Sequence, residues 1–141
     1  MHYPFIVIPA LTGVFTQMVK LLLSVIRHKR FDIKYLFTPG HMPSSHTAFA
    51  VSLVTLVGYY QGIDSMDFAI AMCLGYVVVY DAMNIRIHIG RNGEAINRMV
   101  KELDLKGYPI LKERVGHLPQ EVLVGGILGF LFTMALIMFV M

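Results

Sequence analysis

The chain has 141 residues, of which 56% are hydrophobic and 15% charged, and its mean hydropathy is +0.64. Soluble domains carry about 25% charged residues, so the composition excludes an ordinary water-soluble domain and points to a single membrane domain. The net charge of +3 comes from basic residues beside hydrophobic runs, which fits anionic lipid or phosphate better than nucleic acid. The single Cys73 excludes an internal disulfide framework and any cysteine cluster for zinc or iron–sulfur.

The first predicted span covers residues 5–26, apolar apart from Thr12, Thr16, Gln17, Lys20 and Ser24. At 1.5 Å per residue this rod crosses a hydrocarbon layer of about 30 Å. It lacks the basic start and small-residue cleavage site of a signal peptide, and is read as retained. A polar connector then runs from Arg27 to Met42. Pro43-Ser44-Ser45 supplies helix-start signals for a second span over residues 44–60. After a short turn at Gln61–Ser65, a third span is expected over residues 66–85, with Asp81 at its inner edge facing protein rather than lipid.

Residues 86–121 form the longest polar segment. Glu94, Ile96, Met99, Val100 and Leu103 suggest a short amphipathic helix at the interface, broken by Gly107-Tyr108-Pro109. The fourth span covers residues 122–141, where Gly125, Gly126 and Gly129 permit close helix approach. The expected fold is therefore all-α: a bundle of about four transmembrane helices with one interfacial helix. Every Lys and Arg except Lys20 lies in the two long connectors. By the positive-inside rule both connectors, and a site built on them, face the cytoplasm and both termini face outward, as in a cell or plastid-type inner membrane.

This topology brings polar residues to one membrane face. Lys20 and Arg27 are seven positions apart on one helix face, and an ammonium inside an apolar span needs a partner. Ser44, Ser45 and His46 stand at a helix N-terminus, where the dipole favours an anion; an ordinary N-cap is the bland alternative. His117 and Glu121 lie one helical turn apart, so the carboxylate can fix the imidazole tautomer, or simply form a structural hydrogen bond. Asp81 with Arg86 or Arg91 is either a buried ion pair or part of a substrate site. The remaining histidines in the connectors offer no cross-membrane pairing for haem.

In order along the chain, Lys20 with Arg27, Pro43-Ser44-Ser45-His46, and His117 with Glu121 resemble the three signature motifs of the type 2 phosphatidic acid phosphatase family. The departures are His28 for a proline, Ser45 for a glycine, Glu121 for an aspartate, and no arginine six residues before His117, where Leu111 stands. The segment Tyr80–Arg86, followed by Gly90-Arg91, is similar to the short, divergent branch of that family. The resemblance implies a lipid phosphatase without metal or cofactor, acting on a lipid or isoprenoid phosphate. His117 would be the nucleophile that forms a phosphohistidine, Glu121 its orienting partner, and His46 the acid for the leaving alcohol. Lys20, Arg27, Ser44, Ser45 and one of Arg86, Arg91 and Arg114 would hold the phosphoryl oxygens, with Asp81 in support. The competing expectation is a non-catalytic protein that keeps the site to bind lipid headgroups. Four short helices enclose little volume, which leaves homo-oligomerisation open.

Overall fold

The computed structural model describes residues 4–28 and 42–140, without the side chains of residues 4, 27, 28 and 140. The Arg27 side chain and most of the first connector, with Lys29, Arg30 and Lys34, lie outside the described residues. The described chain is helical: α1 (Pro4–His28), α2 (Ser45–Gln61), α3 (Met66–Tyr80), a π-helical turn (Asp81–Ile85), α4 (Arg86–Glu102) and α5 (Pro119–Val140). Three helical stretches are long and apolar enough to cross a membrane: Phe5–Ile26, Met66–Glu102 and Pro119–Phe139. The 17 residues of α2 reach about 26 Å, just short of a typical hydrocarbon core. Yet α2 is central, touching α1, α3 and α5.

A four-residue repeat holds α1, α2 and α5 together. Ser44, Ala48, Ser52 and Leu56 on α2 and its N-cap meet Gly125, Gly129, Thr133 and Ile137 on α5, each pair offset by the same 81 positions. A constant offset means that the two helices run parallel, with i, i+4 ridges facing each other. The row Ile8, Thr12, Thr16, Lys20 and Ser24 on α1 is buried throughout and runs antiparallel to both. At one end Ile8, Leu56 and Ile137 form an apolar layer. In the middle Thr133 Oγ1 donates to Ser52 Oγ at 2.7 Å, with Thr12 Oγ1 3.2 Å from Ser52 Oγ. Such hydroxyl contacts act as interhelical glue, each worth roughly 0.6 kcal/mol in membrane proteins. At the other end of the rows lie Ser44, Lys20 and Glu121, all buried.

Glycine makes this register possible. A Cβ on Gly125 would collide with the Ser44 carbonyl oxygen, and one on Gly129 would lie 2.5 Å from the Ala48 carbonyl oxygen. Both obstacles are backbone and cannot rotate away. The close approach also lets the Ser44 N–H donate to the Glu121 carbonyl at 3.1 Å. By contrast, a Cβ on Gly126 would meet only the Val51 and Thr47 methyls, at 3.7 and 3.8 Å.

The third helix departs from expectation. The expected amphipathic helix is present as α4, but it is not separate: α3, the π turn and α4 form one continuous 37-residue helix, Met66–Glu102. Asp81, Asn84 and Arg86 mark where hydrophobicity ends, but none of them breaks a helix. The break comes after Glu102, at Asp104 (φ 48°) and Gly107 (φ 92°). Gly125→Leu is expected to lower stability by about 1–3 kcal/mol through overpacking, whereas Gly126→Ala leaves it unchanged. Thermal unfolding of both variants in detergent checks this; equal midpoints would refute the backbone-contact account.

Candidate functional site

The site is assembled around Glu121. Leu118 caps α5, Pro119 takes the first helical position, and Glu121 is the third residue, whose side chain reaches back to accept the Leu118 N–H at 3.0 Å. The same oxygen, Oε2, lies 3.1 Å from His117 Nδ1, while Oε1 accepts from Arg114 Nη2 at 3.1 Å. An ionised carboxylate can only accept, so Nδ1 carries the imidazole proton and Nε2 presents its lone pair. His117 and Glu121 are both buried; Arg114 is 62% exposed in its side chain. Burial holds His117 below the ordinary imidazole value of 6.5. The hydrogen bond and charge of Glu121 oppose that shift, and the charges of Lys20 and His46 add to it.

A strap formed by residues 111–117 carries His117 to this position. Asn97 on α4 donates to the Leu111 carbonyl and accepts the Leu111 N–H, both at 2.9 Å, and donates to Glu113 Oε1 at 2.9 Å. Gly90 and Gly93 lie on the same helix face, where the Glu113 and Lys112 carbonyls press so close that no Cβ would fit. Gly116 lies equally tight against Ile87. The His117 N–H then donates to the Ala82 carbonyl in the π turn at 3.0 Å. None of these residues was singled out for such a role from the sequence. Gly90, Gly93 and Asn97 do, however, carry a readable signal: positions i, i+3 and i+7 on one face.

The π turn also pairs Asp81 with Arg86. A π turn brings i and i+5 together, and Arg86 Nε donates to Asp81 Oδ2 at 2.7 Å. Both side chains remain about one-third exposed, and their charges act on His46 together with that of Lys20. His46 is exposed at the start of α2. Lys20 is 5% exposed and interacts with the Glu121 charge. Lys20, His46, Asp81, Arg86, Arg114, His117 and Glu121 are thus one cluster from five segments of the chain.

Ser44 and Ser45 separate in role. Ser44 is fully buried and caps α2: its Oγ accepts from the Thr47 N–H at 3.4 Å and from Thr47 Oγ1 at 2.9 Å. Ser45 instead lines an open, mainly apolar cavity of about 640 Å³ between α1 and α2. Arg91 is exposed, one position beyond Gly90, and is not among the charges acting on either histidine. Among the described residues, no group of three His, Cys, Asp or Glu side chains is arranged to hold a metal ion.

A family model described as "Divergent PAP2 family" matches residues 1–132. An "Uncharacterized membrane protein YuiD" from Bacillus subtilis (strain 168) is 32% identical over 142 residues, covering 91% of this chain and 90% of the relative. No solved structure matches.

Asn97→Ala is expected to free the strap while leaving the helices intact. Hydrogen exchange should then speed up by about tenfold at Leu111 and His117, in line with the loss of about 1 kcal/mol or more of strap hydrogen bonding. Unchanged exchange there would show that the glycine contacts alone hold the strap.

Proposed function

The chain belongs to the divergent PAP2 family, and on that premise we propose that it is a membrane phosphatase acting on a lipid or isoprenoid phosphate at the membrane interface. The observation that carries this reading is the His117–Glu121 pair, set beside the N-terminus of α2 and the cations Lys20, Arg86 and Arg114. Nδ1 is tied to a carboxylate, so Nε2 is free to act as a nucleophile. Burial keeps His117 neutral near pH 7, as nucleophilic attack requires.

In the proposed reaction Nε2 of His117 attacks phosphorus in line. An N–P bond forms as the P–O bond to the lipid breaks. Protonated His46 gives its proton to the leaving alkoxide. Neutral His46 then takes a proton from water, whose oxygen displaces His117 and releases inorganic phosphate. Charge accumulating on the non-bridging oxygens would be met by Lys20, Arg86, the first N–H groups of α2 and Ser45, with Arg27 belonging to the same set by its place on α1. Glu121 balances the imidazolium character that His117 acquires. The Ser44 hydroxyl already serves the cap, so its contribution would be to position α2.

A second reading is a binding protein that retains the site without turnover. It is favoured by Arg114, whose guanidinium pairs with Glu121 instead of standing alone toward an anion. Phosphate release from a panel of lipid phosphates separates the two readings. His117→Ala should reduce it by roughly 10³-fold or more; equal release by the variant would eliminate the nucleophile assignment, and none from either protein would favour binding alone.

The pH profile gives an independent check. Turnover requires neutral His117, so the acid limb of kcat/KM should lie below pH 6.5. Glu121 raises the His117 pKa, so Glu121→Gln should move that limb to still lower pH while slowing the reaction. A limb that moves upward would contradict the assigned pairing.

A further inference from the structure

Two arginines flank the polar cluster, and their surroundings separate them. Arg86 is held through Nε by Asp81, and with Lys20 it supplies the positive charge acting on His46. Arg114 is not among the charges acting on His46 or on His117. Its Nη2 donates to Glu121 Oε1 at 3.1 Å instead. It approaches from the solvent side, with its side chain 62% exposed against 7% for Glu121.

That contact falls on the oxygen of Glu121 that does not face His117. Oε2 serves two donors, the Leu118 N–H and His117 Nδ1. A glutamate has one side-chain torsion more than an aspartate, so its carboxylate can turn and exchange the two oxygens. A donor fixed on Oε1 opposes that turn and keeps Oε2 on Nδ1. Were the carboxylate to turn away, the imidazole proton could pass to Nε2, and the lone pair that attacks phosphorus would be lost. The strap decides where Arg114 stands: the adjacent Glu113 accepts from Asn97 at 2.9 Å, and its carbonyl lies against Gly90. Two departures in the third motif, an arginine three residues before His117 and a glutamate at 121, thus meet in one ion pair.

We infer that Arg114 is a positioning residue for His117: it holds Glu121 Oε1 so that Oε2 stays on Nδ1, and it does not bind the phosphate. This rests on the reading of His117 Nε2 as the nucleophile, but the hold on the tautomer does not require turnover.

The test uses the full chain in detergent micelles with isotope-labelled histidine, read by nitrogen NMR at about pH 8, where His117 is neutral. The His117 ring signals are identified by their loss in His117→Ala. In the wild type Nδ1 should carry the proton. Arg114→Gln should lower the share of that tautomer and slow kcat by about 3–10-fold, and Arg114→Lys should restore most of both. Affinity for inorganic phosphate, measured by equilibrium dialysis, should stay within about twofold in Arg114→Gln and fall by about tenfold in Arg86→Gln. Because Arg114 acts through the carboxylate, its removal should add nothing to the loss of kcat in Glu121→Gln. An unchanged tautomer, a fall in phosphate affinity matching that of Arg86→Gln, or additive losses in the double variant would each overturn the inference. A tautomer shift in a protein that releases no phosphate would keep this inference and reject catalysis, whereas an unchanged tautomer in an active enzyme would do the reverse.

Discussion

The contact between α5 and the start of α2 is the constraint on which the rest of this molecule depends. Two helices can run parallel at backbone distance only where side chains are missing, and Gly125 and Gly129 provide that absence against Ser44 and Ala48. Once those pairs are set, the four-residue repeat places Thr133 on Ser52 and Ile137 with Leu56, and α1 fills the remaining side with Ile8 and Thr12. The same approach brings the Ser44 N–H to the Glu121 carbonyl. Two segments nearly eighty residues apart thereby share a hydrogen bond at the centre of the polar cluster. Moving α5 outward by the width of a methyl group would separate the helix that carries His46 from the one that carries Glu121.

Glu121 works at several levels at once. Its backbone accepts from Ser44, and one carboxylate oxygen closes the first turn of α5 while orienting His117; the other oxygen receives Arg114. This buried carboxylate meets donors from Arg114, His117 and Leu118 and interacts with the Lys20 charge. Folding of the helix start and preparation of the imidazole are therefore one event. The structure needs the carboxylate even before any substrate is considered, so its presence alone is weak evidence of chemistry. The arrangement of Lys20, His46 and Arg86 on the same side strengthens the case.

Much of the bundle could be read from the amino acids, because apolar length and glycine spacing report directly on membrane crossing and close packing. The first and last spans and the role of Gly125 and Gly129 were visible in this way. The continuity of α3 into α4 was not. Asp81, Asn84, Arg86 and Arg91 mark the end of a hydrophobic run, and hydropathy reports exit from the bilayer, not the end of a helix. Only Gly107 and Pro109 carry true stop signals. Within the site, the pairing of His117 with Glu121 was suggested by their four-residue spacing, although His117 precedes the Leu118 cap and is not itself helical. The choice among Arg86, Arg91 and Arg114 depends on a strap whose path is set by Asn97 and by carbonyl contacts to Gly90 and Gly93. Spacing in the chain says nothing about which loop lies on which helix.

The π turn at Asp81–Ile85 sets an azimuth. One residue more or fewer in a helix turns everything beyond it by about 100°, so this turn decides which side of the long helix shows Gly90, Gly93 and Asn97 to the strap. His117 therefore owes its place to the number of residues between the bundle and Asn97 as much as to their identity. Deleting Met83 alone would swing that face away from the strap with every side chain of the cluster still present. Deleting one residue near Gly107 would only shorten an exposed loop. Two sequences of equal composition could thus differ in whether they possess the cluster at all.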